Sequence, residues 1–152
     1  MVDGPLPENI LRTCHNIGAQ YNLIMLFNKI HHIAIICSDY QKSKQFYVHV
    51  LGLEIIKETY REARQSYKLD LALNGEYIIE LFSFPDPPKR LSRPEGTGLR
   101  HLAFEVGDLN AAIAMLHRKD VITEAVRVDE ITQKKFTFLS DPDGLPIELY
   151  EN

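Results

Sequence analysis

Residues 31–39 read HHIAIICSD and residues 100–108 read RHLAFEVGD. In each, a histidine (His32, His101) is followed by an apolar residue, an alanine and, five residues further on, an aspartate. The two histidines stand 69 positions apart, and a second match, Ile79-Glu80-Leu81-Phe82 with Ile147-Glu148-Leu149-Tyr150, recurs 68 positions apart. Two matches at nearly one offset mark a duplicated unit, which decides architecture before any local reading does. The chain divides into modules 27–84 and 99–151, joined by a linker over 85–98.

Each module opens with an apolar run and then an aspartate placed to cap a helix, because its side-chain oxygen can accept from the first free backbone N–H groups. Asp39 and Asp108 are those caps. Phe46, Tyr47, Val50 and Leu51 form the apolar stripe of the first helix, ended by Gly52, and Leu109, Ala112, Ile113 and Leu116 that of the second. Strands follow over Leu53–Arg61 and Tyr67–Leu73, the latter alternating apolar residues with Lys68, Asp70 and Ala72. Asn74-Gly75 is a hairpin turn, since both central residues of a type I′ turn need positive φ, and Tyr77–Phe82 is the returning strand. The second module repeats the plan with strands over Glu124–Asp129, Lys135–Leu139 and Ile147–Tyr150, and a turn at Asp141-Pro142-Asp143-Gly144. Both modules are therefore β-α-β-β-β, an α+β class. The segment SFPDPPKRLSRPEGTG, 83–98, holds four of the eight prolines and reads as extended.

The 152 residues suit one domain or two small modules sharing a core. A net charge of -4 with interspersed signs gives no reason to expect nucleic acid or an anionic membrane as partner. Cys14 and Cys37 form no disulfide framework and no CxxC pattern, which fits a reducing compartment. The apolar runs fall far short of a membrane span, and the first residues lack the basic start and apolar stretch of a signal peptide. A cytoplasmic protein is expected. Residues 1–24 show no sustained period and are expected to be a loosely ordered extension ahead of the 25–152 domain, with Met25 a candidate natural start.

The repeat singles out His32, Glu80, His101 and Glu148. All four stand in apolar strands, where a carboxylate without a partner is costly to bury. Two carboxylates matched by symmetry with two imidazoles point to a cation, and two neutral His nitrogens with two carboxylates make an N2O2 site for one divalent transition metal: nickel, cobalt, zinc or manganese. Glu105, on the strand face of His101, is better read as a solvated strand end, and Lys134 and Lys135 as solubilising charges near a hairpin. Arg61, Arg64, Lys89, Arg90 and Arg93 are expected to be surface charges. His15, His31, His49 and His117 receive no role.

These residues resemble the glyoxalase I, or vicinal oxygen chelate, superfamily over essentially all of 29–151. HHIAII with DYQKSKQFYVHVLGL is similar to its opening strand and helix, IIELFSF to its first closing strand, LRHLAFEV to its second opening strand, and LSDPDGLPIELYE to its C-terminal signature. The resemblance implies a cup-shaped mixed sheet around a metal held by His32, Glu80, His101 and Glu148, and a homodimer, although some members build the cup within one chain. It also implies a divalent-metal-dependent lyase or isomerase of lactoylglutathione lyase type. The small substrate would present vicinal oxygens, as a hemithioacetal does, and react through an enediolate, with Glu148 or Glu80 as the catalytic base. Glyoxalase I usually carries an Arg four residues after its first ligand His and an Asn four after its first ligand Glu. Ile36 and Phe84 stand there, which speaks against glutathione and for a less charged or differently shaped substrate. Related readings are a thiol transferase, an epimerase, a dioxygenase, or a non-enzymatic antibiotic-binding protein of the bleomycin-resistance kind.

Overall fold

The computed structural model describes residues 26–152, so the expectation for residues 1–24 lies outside the described residues. Residues 31–152 form one compact unit, while residues 26–30 contain no helix or strand.

The first module runs β1 (Ile33–Cys37), α1 (Tyr40–Gln45), β2 (Glu54–Arg61), β3 (Ser66–Leu73) and β4 (Glu76–Ser83). The second runs β5 (Leu102–Val106), α2 (Leu109–His117), β6 (Arg127–Val128), β7 (Lys135–Ser140) and β8 (Pro146–Glu151). Each makes a four-stranded sheet, ordered β1-β4-β3-β2 and β5-β8-β7-β6. The β1–β4 and β5–β8 pairs are parallel and the others antiparallel, so both sheets are mixed, and neither closes into a barrel. The duplicated α+β plan read from the sequence is thus the plan of the fold.

Both caps form as expected: Asp39 Oδ1 accepts from Lys42 N at 3.1 Å, and Asp108 Oδ1 from Ala111 N at 2.9 Å. Asp108→Ala is expected to cost about 1 kcal/mol, a fall of roughly 3 °C in the melting temperature by calorimetry. Two elements differ from expectation. The first helix is α-helical only to Gln45 and continues over Phe46–Val50 as a π-helix, which accommodates bulky Phe46 and Tyr47, both buried. The strand expected over Glu124–Asp129 shortens to Arg127–Val128: Glu124 N bonds the Phe138 carbonyl, one residue out of register, and Asp129 already closes the turn, its N–H donating to the Lys134 carbonyl and its carbonyl accepting from Gln133 N. The linker 85–98 contains no helix or strand.

One face of each sheet is the core. Ile35, Leu69, Leu71, Ile79 and Leu81 in the first sheet and Leu139, Ile147 and Leu149 in the second are buried in one cluster with Tyr47, Leu109 and Leu116 from the helices. Polar contacts fasten the modules together. Tyr47 donates to Asp141 Oδ2 at 2.8 Å, Ser38 N donates to Asp143 Oδ2 at 3.0 Å, and Ser38 Oγ bonds Asp143 Oδ1. Asp141 also accepts from the backbone N–H groups of Asp143 and Leu145, so the Asp-Pro-Asp-Gly turn is both a hairpin end and an inter-module clasp.

The opposite faces stay open: Ile36, next but one to Ala34 on β1, is 56% exposed. A register change decides which residues lie there in the first module. Continued regularly from the Asn74-Gly75 turn, where both residues take positive φ, the hairpin would set Leu69 opposite Glu80. A β-bulge between Leu71 and Ala72 leaves Ile78 without a counterpart and sets Asp70 opposite Glu80 and Lys68 opposite Phe82. Because side chains alternate with period 2, that one-residue slip moves two charges onto the open face and leaves Leu69 and Leu71 to the core.

Candidate metal centre

His32 and His101 lie immediately before β1 and β5, and Glu80 and Glu148 lie on the adjoining parallel strands β4 and β8. The registers correspond: Ala34 pairs with Glu80, and Ala103 with Glu148. A histidine two residues before each alanine therefore shares a face with the glutamate of the next strand. His32 Nε2 lies 3.1 Å from Glu80 Oε2, and His101 Nε2 lies 3.1 Å from Glu148 Oε2. Each module thus brings its own two expected ligands together. Among the described residues no three His, Cys, Asp or Glu side chains gather as a cation cluster, so within one chain the four stand as two separate His–Glu pairs, candidate half-sites rather than one quartet.

The half-sites differ in surroundings. Glu80 Oε1 accepts from Lys68 Nζ at 2.6 Å and from Tyr77 Oη at 2.6 Å, which leaves Oε2 to face His32. Lys68 also pairs with Asp70 at 2.8 Å, and Tyr77 donates to Asp70 at 3.1 Å. Burial pushes the Glu80 carboxyl up, but the bonds from Lys68 and Tyr77 and the Lys68 charge outweigh it and hold the group below the usual glutamate range. On the other side of His32, its Nδ1 lies 2.8 Å from His31 Nδ1, and the Tyr77 ring stacks on its ring at a centroid distance of 5.3 Å. These contacts fix the ring so that Nε2 faces Glu80.

Glu148 lies opposite Phe138 instead of a charged residue. Its one polar side-chain contact among the described residues is His101. The His101 ring meets Phe138 edge-on at 5.4 Å, and its Nδ1 is buried without a hydrogen-bond partner. This half-site opens on a cavity of about 410 Å³, whose wall includes Arg100, Arg127, Phe136 and Phe138, with linker residues 90–93 along one side.

Lys68, Asp70, Tyr77 and His31 are the site residues that sequence reasoning missed. The alternation of β3 was the available signal for Lys68 and Asp70, but the bulge sets the register that puts them beside Glu80. One other expectation is corrected. Arg61 is no surface charge: it is half-buried, with Cζ 4.7 Å from the Phe82 ring centroid and 5.5 Å from that of Phe84. The apolar Phe84 position is therefore covered by a guanidinium, because Arg61 at the end of β2 reaches across the open face. Arg90 and Arg93 are exposed, as expected of surface charges, and stand along the cavity's edge. Glu105 is exposed and accepts from Asn152, as a solvated strand end would.

The sequence profile of the Glyoxalase/Bleomycin resistance protein/Dioxygenase superfamily matches residues 29–149. The chain belongs to this superfamily. It is similar to the uncharacterized protein YwkD of Bacillus subtilis, 67% identical over 127 residues, which are 84% of this chain and 99% of YwkD. It is 63% identical to the uncharacterized protein YaeR of Escherichia coli, over 81% of this chain and 95% of YaeR. The crystal structure of a glyoxalase family protein from Enterococcus faecalis superposes with a TM-score of 0.78 at 48% identity, covering 84% of this chain and all of that one. More distant relatives within the superfamily carry different activities: a Bacillus subtilis catechol-2,3-dioxygenase at 30% identity, an Actinomyces 2-epi-5-epi-valiolone epimerase at 26% and the Saccharomyces cerevisiae glyoxalase I at 26%. Among the described residues no helix is long and apolar enough to cross a membrane.

Proposed function

We propose that the protein is a divalent-metal-dependent lyase or isomerase of glyoxalase I type, acting on a small substrate with adjacent oxygens. The observation that carries this reading is the matched pair of half-sites, each with an imidazole nitrogen and a carboxylate oxygen 3.1 Å apart on corresponding strands. Bonds of about 2.1 Å from one ion to two neighbouring ligands leave those ligands about 3 Å apart, so each pair has a fitting bite. The charges also fit. Glu80 and Asp70 against Lys68 leave one negative charge, Glu148 adds another, and neutral histidines add none, which balances a divalent cation. The four ligands are His32 and Glu80 from one protomer with His101 and Glu148 from its partner, in a homodimer with two such sites. Nickel, cobalt, zinc and manganese all suit this donor set.

The chemistry such an ion supplies when bound is to hold two adjacent substrate oxygens and stabilise the negative charge that develops as a C–H proton leaves. The chain's own residues divide the remaining work. Glu80, tied through Oε1 to Lys68 and Tyr77, is a fixed carboxylate suited to binding. Glu148, whose one polar side-chain partner among the described residues is His101, is free to turn toward a substrate carbon and accept its proton. Phe136 and Phe138 give the cavity its apolar wall beside Glu148. The reading is tested by elemental analysis of purified, untagged protein beside His32→Ala/Glu148→Gln. About one divalent ion per chain, lost in the double variant, is expected. No metal in either protein after incubation with the four ions would discard the enzymatic reading in favour of ligand sequestration.

A further inference from the structure

Two arginines lie over phenylalanine pairs on the open faces, one in each module, and they differ in charge balance. Arg127 has its Cζ 5.0 Å from the Phe136 centroid and 5.1 Å from that of Phe138, and its Nη2 is neutralised by Glu124 Oε2 at 2.9 Å. Arg61 lies over Phe82 and Phe84 with no carboxylate in ion-pair contact among the described residues. Its one side-chain hydrogen bond among the described residues goes to the neutral Ser66 hydroxyl, at 2.5 Å, and its Nε is buried with no partner among them. A guanidinium offers five donors in a planar fork, and here most are uncommitted. Stacking on the two rings fixes the plane of that fork, so little freedom is lost when an anion joins it.

The position of this cation matters. Phe82 is two residues from Glu80 on β4, about 7 Å along the strand at the usual rise, and on the same face. Lys68, opposite Phe82 on β3, is already committed to Asp70 and Glu80. One unspent positive charge therefore stands a short chain's length from the half-site that holds His32 and Glu80.

We propose that Arg61 is the anchor for a carboxylate at the far end of the substrate. The substrate class is then a short-chain acid whose adjacent oxygens lie at the His/Glu centre and whose distal carboxylate pairs with the Arg61 fork. A single unpaired guanidinium matches a monoanion better than a phosphate, which carries nearly twice the charge. This substrate class rests on the chelate reading above, whereas the anion pocket itself does not.

The test is isothermal titration of the full chain with 2-oxoglutarate and with 2-oxopentanoate. These share the adjacent oxygens and differ in that the first ends in a carboxylate and the second in a methyl group. Each is measured on cobalt-incubated and on chelator-treated wild-type protein, Arg61→Met, Arg61→Lys and His32→Ala. Met keeps the apolar stem on the rings and removes the charge, and Lys keeps the charge without the fork. Wild type is expected to prefer 2-oxoglutarate by about tenfold or more. Arg61→Met is expected to bring that preference to about twofold or less, and Arg61→Lys to retain part of it. Equal affinities in wild type, a preference that persists in Arg61→Met, or no binding of either acid at millimolar concentration would overturn the proposal. The two readings fail separately. If the Arg61-dependent preference survives chelation and His32→Ala unchanged, with cobalt raising the affinity of neither acid, the anion pocket stands and the chelate reading falls. If cobalt tightens both acids equally in wild type and Arg61→Met alike, the reverse holds.

Discussion

Replacing Asp141 by alanine is expected to cost about 3 kcal/mol or more and to lower the melting temperature by roughly 10 °C. The carboxylate is 5% exposed and accepts three hydrogen bonds, from Tyr47 Oη at 2.8 Å, Asp143 N at 2.9 Å and Leu145 N at 2.7 Å. Alanine leaves three inward donors without an acceptor, at about 1–3 kcal/mol for each buried group left unsatisfied. Asp141→Asn is expected to cost less than about 1 kcal/mol. Its amide oxygen can take both backbone donors, as Oδ1 does now, while its NH2 donates to a rotated Tyr47 hydroxyl. The pH dependence has a definite sign. Burial pushes the Asp141 carboxyl above its ordinary 3.8, against the pull of the bonds from Leu145, Tyr47 and Asp143. The folded chain therefore holds this proton to higher pH than the unfolded chain does. The stability the group contributes is fully present below 3.8 and declines as pH rises through the folded value, a decline that Asp141→Asn should remove from urea unfolding curves.

Glu148→Gln is expected to lower turnover of a hemithioacetal of methylglyoxal by about 10²–10⁴, the usual worth of a positioned base. Glu80→Gln is expected to act mainly on metal affinity, because Glu80 is held by Lys68 and Tyr77 and cannot swing without breaking both contacts. Single-turnover rates at saturating metal separate the two effects. Equal losses in both variants would show that the carboxylates exchange roles and that the asymmetry of their surroundings has no kinetic consequence.

That asymmetry marks how far the sequence could be read. The duplication gave the two modules, the capped helices and the four His and Glu positions, because a repeat compares the chain with itself and needs no register. The parallel pairs β1–β4 and β5–β8, which bring each histidine beside its glutamate, were not read from it, because a repeat does not state which strands pair. What surrounds those residues depends on register, and the bulge between Leu71 and Ala72 changes it by one. Counting back from Asn74-Gly75 sets a leucine opposite Glu80 where the protein has Asp70, so the Lys68–Asp70–Tyr77 network could not be foreseen. Arg61 was hidden for a different reason. Its neighbours in sequence, Glu62 and Arg64, are exposed, and only a side chain reaching across strands takes it to Phe82 and Phe84. The short β6 reflects side-chain and loop bonds near Glu124 and Asp129 that compete with a ladder.

The central claim is that one metal centre is built from the first module of one chain and the second module of another. It is tested most directly by mixing two inactive variants, His32→Ala/Glu80→Gln and His101→Ala/Glu148→Gln, after mild unfolding and refolding together. Each variant alone lacks half of every site. A heterodimer of the two rebuilds one intact site, from the second module of the first variant and the first module of the other, and destroys its twin. Metal analysis of the isolated heterodimer should find about one divalent ion per two chains, against none for either parent. A heterodimer as empty as its parents, beside a wild-type dimer that holds two ions, would contradict the shared centre.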